Sequence, residues 1–358
     1  MKALVYQGPW NISVETLQDP KPGPGDVVIR VFAVGICGSD VHGFTGHTGR
    51  RSPGQVMGHE MSGRIESMGP NVDPVSGLQP GAAVTVNPVI GCGACARCVV
   101  GEEQACPSRR LIGVDATLVS AFAEFLVVPA KNVVPLSASV PIEFGALVEP
   151  LSVGFHAAHR GGCSSADSIL VIGGGPIGQA CILAAQRLGA TRIAVSEPNG
   201  ARRSLAASLG AVALDPTEGP LSEQVQQAFG EPVTVVLDAV GVSATVKDAL
   251  ECSAMGARIV LVGMGSPSLE LSAYLVSTEE RTLIGSFCYS KDDFRDTAKW
   301  GEEAREVLGR LIEGRVDLEG APSAFSELAR GQSEASKILV LPQGVPAESP
   351  WESKLLPL

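Results

Sequence analysis

Three groups of residues in this chain have the types and spacings needed for chemistry. The first is Cys37-Gly-Ser39-Asp40-Val-His42, together with Gly58-His59-Glu60. Cysteine and histidine are the usual ligands of zinc, and an open catalytic site keeps three protein ligands and leaves a position for water or substrate. Cys37 and His59 are the first two candidates, and the third is either Glu60 or Glu149. Successive side chains of an extended strand point to opposite faces, so Glu60 joins His59 only where the backbone turns. Glu149 lies in the apolar run Leu147-Val-Glu-Pro-Leu151, where a buried carboxylate needs a partner such as a metal, the plainer reading being a surface cap. Asp40 reads as the carboxylate that orients His59, because metal-bound imidazoles donate their second N–H. Ser39 and His42 are spaced as a proton relay, in which a hydroxyl takes the proton of a zinc-polarised alcohol and the histidine passes it outward.

The second group is Cys92-Gly-Ala-Cys95-Ala-Arg-Cys98, followed closely by Cys106. Four thiolates at this spacing reach one tetrahedral ion and leave no open position, which is a structural zinc lobe without chemistry of its own. The chain is therefore expected to hold two zinc ions, one catalytic and one structural. The third group is Gly173-Gly-Gly175-Pro176-Ile177-Gly178, which directly follows an apolar strand and opens a helix. In that context G-x-G-x-x-G is a dinucleotide-binding turn, with the pyrophosphate at the helix N-terminus. Glu197, at the end of the next strand, suits ribose hydroxyls and favours NAD over NADP. Arg202 and Arg203 could each swing toward a 2′-phosphate, so NADP stays open.

These groups need elements to hold them. Up to about residue 150 the text is short apolar strands broken by Gly and Pro, such as Asp26–Val34 and Ala82–Asn87, which implies an irregular β-barrel-like unit. Strands at Ser168–Ile172, Arg192–Ser196, Val233–Leu237 and Ala257–Val262 then alternate with helices at Ile177–Leu188 and Ala201–Leu209. That alternation implies a doubly wound parallel sheet, hence an α/β chain. A helix around Gly301–Glu313 and a strand Ser336–Leu341 follow, and the Pro-rich tail, residues 344–358, is expected to be loosely ordered.

Composition excludes some functions. The chain has 358 residues, with 27 basic against 38 acidic residues and a net charge of −11, which disfavours a nucleic-acid partner. Met1-Lys-Ala-Leu-Val-Tyr6 reads as a first strand, and no apolar run reaches the roughly 18 residues of a membrane span. Nine cysteines without a secretory leader imply the reducing cytoplasm. Arg50 and Arg51 read as a solvated loop, the alternative being recognition of a substrate carboxylate or phosphate. His47, His156 and His159 have no independent case as ligands, and Cys163, Cys181, Cys252 and Cys288 read as small buried hydrophobes.

The ordered set of motifs resembles the zinc-dependent medium-chain dehydrogenases over nearly the whole chain. The resemblance implies a GroES-like catalytic domain from residues 1–151 and 296–358, around a Rossmann domain at 152–295. It places the backbone of Val262, Gly263, Met264, Ser286 and Phe287 at the nicotinamide. Val148-Glu149-Pro-Leu-Ser-Val-Gly154 looks most like the polyol, butanediol and threonine dehydrogenases, although Gly43–Gln55 matches no one subgroup's substrate loop. The implied activity is NAD-linked oxidation of a secondary hydroxyl of a polyol-like small molecule to a ketone, by a homodimer or homotetramer. An amino alcohol is the alternative substrate. A zinc-independent NAD(P)H double-bond reductase and a non-enzymatic NAD sensor are the competing classes.

Overall fold

The computed structural model describes residues 1–47, 49–73, 77–333 and 335–345. All but the first two residues of the tail expected to be loosely ordered fall outside them. The chain divides into two compact units. The first comprises Met1–Pro88, Leu111–Ala146 and Ile312–Leu358, and the second Val89–Arg110 and Leu147–Leu311.

The spine of the first unit is Asp26–Gly35, whose β-branched run (Val27, Val28, Ile29, Val31, Val34) is almost wholly buried. A strand so apolar on both faces needs cover on both. It pairs antiparallel with Glu60–Met68 along one edge. Phe125–Pro129 and Ile338–Val340 pair antiparallel with successive stretches of the spine. Ala83–Val86, Val133–Pro135 and Gly314–Val316 complete seven strands among the described residues. Lys2–Gly8, Asn11–Thr16 and Gln55–Val56 form a separate three-stranded sheet. The spine strand runs into a helix, Gly38–Phe44, with Cys37 at its N-cap, where the Asp40 carboxylate accepts the Cys37 N–H at 3.2 Å. The other end is anchored by Phe44, fully buried between the rings of Trp10 and Phe325, each 5.6 Å away. Burial of one such side chain contributes about 1.5–3 kcal/mol. A seven-residue helix has little stability of its own and depends on such anchors.

In the second unit, Ser168–Ile172, Arg192–Ser196, Val212–Leu214, Val233–Asp238, Ser253–Leu261 and Thr282–Gly285 form one parallel sheet. Numbered one to six within this unit, they stand in the order 3-2-1-4-5-6. The order reverses between Ser168–Ile172 and Val233–Asp238, and in such sheets ligands bind at that switch point, beyond the carboxyl ends of the strands. The helix expected around Gly301–Glu313 is shorter. Gly301 closes the preceding helix, Lys291–Trp300, its N–H bonding to the Thr297 carbonyl, and a new helix covers only Arg305–Arg310. Among the described residues no helix is long and apolar enough to cross a membrane.

Candidate metal centres and dinucleotide site

In the first unit, ligand atoms of Cys37, His59 and Glu60 all lie within 4.8 Å of one another. The backbone turn that this requires is at Gly58, whose φ of +97° favours glycine and whose missing Cβ leaves room for the Phe122 ring. The strand then begins at Glu60. His59 is buried, with Nδ1 3.6 Å from Asp40 Oδ1. That leaves Nε2 as its ligating atom, with Asp40 behind the ring. Burial pushes the His59 imidazole down, but Asp40 and Cys37 push it further up, and it settles well above its ordinary value. A thiol, an imidazole and a carboxylate gathered in one buried spot fit a zinc ion. Glu60 has a second partner that sequence reading missed, the Lys337 ammonium. The signal was a lysine opening an otherwise apolar strand, since a buried charge demands a counter-charge.

Ser39 lies half-buried on the Gly38–Phe44 helix. His42, on the same helix, has its ring 5.8 Å from that of His47. Partial loss of solvent and then the neighbouring His47 lower its pKa from the ordinary value, which keeps it neutral and able to accept a proton. Arg51, expected in a solvated loop, is half-buried as a residue but has its side chain enclosed, only 3% exposed.

In the second unit, the sulfurs of Cys92, Cys95, Cys98 and Cys106 also lie within 4.8 Å of one another, those of Cys92 and Cys98 4.0 Å apart. Zn–S bonds of about 2.3 Å at tetrahedral angles set sulfurs about 3.8 Å apart, so the lobe fits the ion. Backbone N–H groups of Ala94 and Cys95 hold the Cys92 thiol down to about 6. The lobe is fastened to its unit by the Lys291 N–H on the Gly101 carbonyl and by Arg109 over the Phe287 ring at 5.1 Å.

Gly173–Gly178 follows the first strand of the parallel sheet at its switch point. Gly173 has φ +95°, Gly175 is the N-cap of the helix Pro176–Arg187, and a Cβ on Gly178 would meet the Gly173 carbonyl oxygen at 1.7 Å. Ile177 lies in the first turn of that helix. Glu197 is buried, accepting the Gly174 N–H on Oε2 and the Asn199 N–H on Oε1, both at 2.8 Å. Arg203 is committed to Asp215 and to the carbonyls of Glu197 and Pro198, whereas the Nε of Arg202 is buried without a hydrogen bond among the described residues. Across the switch point, the N–H groups of Val262 and Gly263 bond to the Asp238 carbonyl, and a Cβ on Gly263 would meet Val240 backbone at 2.2 Å. Met264 and Phe287 are exposed, and the Ser286 N–H bonds to the Leu261 carbonyl. This glycine-lined cradle suits a dinucleotide.

Glu149 is buried rather than a surface cap, and its Oε1 accepts a hydrogen bond from the Tyr289 hydroxyl at 3.0 Å. His156 and His159, without a ligand role in the sequence reading, both direct Nδ1 at Asp293, at 2.7 and 3.0 Å. Their three-residue spacing on a helix was the available signal; the carboxylate 134 residues beyond His159 was not. Cys163, Cys181 and Cys252 are buried, but Cys288 is only half-buried and takes φ +50°.

Comparison with known proteins finds the alcohol dehydrogenase GroES-like domain at residues 23–138 and the zinc-binding dehydrogenase domain at 176–303. The chain is 32% identical to 2-dehydro-3-deoxy-L-galactonate 5-dehydrogenase of Pseudoalteromonas atlantica, over 97% of this chain and 98% of the relative. It is 32% identical to sorbitol dehydrogenase of Ovis aries, over 92% and 93%. Among solved structures, an alcohol dehydrogenase of Escherichia coli complexed with NADH superposes with a TM-score of 0.86 at 28% identity, covering 95% of this chain and 99% of that one.

Proposed function

The chain belongs to the zinc-dependent medium-chain dehydrogenases, and on that premise we propose that it oxidises a secondary hydroxyl of a small polyol or sugar acid to a ketone, with NAD as acceptor. The observation that carries this reading is the gathering of Cys37, His59 and Glu60 with Asp40 behind the imidazole. A zinc-independent double-bond reductase has no use for that group. The sugar-acid and sorbitol dehydrogenases among the relatives support the substrate class.

When bound, zinc supplies Lewis-acid polarisation of a hydroxyl and the nicotinamide a hydride acceptor. Cys37 and His59 would hold the ion, with Glu60, gathered beside them, as third ligand. Asp40 fixes the ring of His59. Ser39 takes the hydroxyl proton and hands it to His42, whose lowered pKa keeps it ready to receive at neutral pH. The Gly173–Gly178 turn binds the pyrophosphate and Glu197 the adenosine ribose, which favours NAD over NADP. The edge strand Thr282–Gly285, paired on one side among the described residues, supports assembly into a homodimer or homotetramer through this sheet.

The test is NADH formation by the zinc-loaded protein across polyols, sugar acids, diols and amino alcohols, each repeated with Cys37→Ser. Oxidation of a polyol or sugar acid, abolished by the substitution, is the expected outcome. Turnover confined to amino alcohols would replace the substrate class, and turnover unchanged in Cys37→Ser would remove the metal from the reaction.

A further inference from the structure

Arg51 is a permanent cation, as a guanidinium does not lose its proton in proteins. Its side chain is 3% exposed, and withdrawing such a group from water costs several kcal/mol unless something compensates. The compensating charge is Asp40, itself fully buried, with Oδ1 3.9 Å from Arg51 Nη2. The same oxygen lies 3.6 Å from His59 Nδ1, and neither of these two atoms has a hydrogen bond among the described residues. The other oxygen of Asp40 accepts the backbone N–H of Cys37. One carboxylate therefore touches the backbone of one ligand, faces the ring of a second, and faces Arg51.

The packing is built around this arrangement. Gly43, on the helix that carries Asp40, has no side chain where the stem of Arg51 lies. A Cβ there would sit 2.8 Å from Arg51 Cγ and 3.0 Å from Nε. Because the helix offers no side chain at this point, the guanidinium can lie beneath it and face Asp40.

We propose that Arg51 is a positioning residue for the metal centre: it holds the Asp40 carboxylate against His59 and so sets how tightly Cys37 and His59 retain their ion. The proposal rests on the reading of Cys37 and His59 as metal ligands. Partners of metal-bound histidines typically alter metal affinity by about 10–100-fold, and Arg51 acts one step further out through Asp40.

The test compares wild type, Arg51→Met and Arg51→Lys, each loaded with zinc and titrated with a chelator while the cysteine lobe serves as internal reference. A second readout is the visible spectrum after cobalt replaces zinc at the Cys37 centre, which reports ligand geometry without turnover. In Arg51→Met the ion of the Cys37 centre should be held about 10-fold or more weakly and the cobalt–thiolate band should shift, while the lobe is unaffected. Arg51→Lys should recover most of the loss. Equal affinity and an unchanged spectrum in Arg51→Met would overturn the proposal, as would Arg51→Lys behaving no better than Arg51→Met. Should Arg51→Met fail to fold, Arg51→Gln, uncharged and of similar reach, carries the same comparison. Wild type that binds zinc only at the cysteine lobe would overturn the metal reading itself.

Discussion

The ammonium of Lys337 sits on the carboxylate of Glu60, both sealed from solvent, the two residues standing 277 positions apart in the chain. Their strands flank the spine strand on opposite edges, where Gly35 pairs with Glu60 on one side and Leu339 on the other. A Cβ on Gly35 would lie 2.0 Å from Glu60 Oε2, so the pair meets over a residue that has no side chain. Lys337 also donates to the Ile36 carbonyl at 3.4 Å, which joins the end of the spine to the strand Ile338–Val340.

Removing one member of this pair leaves a buried charge without its partner. Lys337→Met is expected to cost about 3–5 kcal/mol in urea unfolding. Pairing it with Glu60→Leu should restore much of the loss, so the double-variant cycle will show strong coupling. Two small, additive effects would mean that the pair does not hold the sheet together.

Glu197 accepts the backbone N–H of Gly174, within the dinucleotide turn, and that of Asn199, and a carboxylate placed there would repel a 2′-phosphate. Glu197→Ala should lower kcat/KM for NAD by about 10–100-fold, the scale of a lost charged hydrogen bond, and lower that for NADP less. The expected reading is a narrowed NAD-to-NADP ratio with little change in kcat. A wild type that prefers NADP would contradict the role given to Glu197.

Asp293 gives a pH signature. Burial alone would raise its pKa, but hydrogen bonds from His156, Ser290 and His159 outweigh that and hold it well below the ordinary carboxylate value. A carboxyl depressed in the folded state stabilises the fold above its unfolded pKa of about 4, and the contribution fades as pH falls through that value toward the folded one. Asp293→Asn should therefore be about 1.5–3 kcal/mol less stable at pH 7. Its deficit should shrink as the pH is lowered from 5 toward 3. A deficit of constant size across that range would show that the charge of Asp293 contributes nothing.

Much of this was legible in the sequence. The strands Ser168–Ile172 and Arg192–Ser196 appear at the residues expected, because the buried apolar stretches Ile169–Ile172 and Ile193–Val195 followed by turn residues leave little freedom of register. The two candidate metal clusters were legible because they carry short-range signals, Cys92, Cys95 and Cys98 at three-residue spacing and Glu60 beside His59. What was not legible depends on distant chain. Nothing local to Arg50-Arg51 says that Gly43 makes room for one guanidinium and Asp40 faces it, so a pair of arginines between glycines reads as a solvated loop. The shortened helix near residue 301 has a local cause: Lys291–Trp300 ends at Gly301, and a new helix starts only at Arg305.

The discontinuity of the first unit has a consequence for its synthesis. Its spine is made first, but the strand Ile338–Val340 that pairs with it, and the lysine that answers Glu60, leave the ribosome long afterwards. At about 5–20 residues per second, the 277 positions that separate Lys337 from Glu60 take roughly 15–55 s to translate. For that interval a stretch of sheet edge has no partner and a carboxylate destined for the interior has no counter-ion. The nascent chain is thus most exposed to misassociation before Ile338–Val340 arrives, and residues made long after the spine decide whether the spine stays folded.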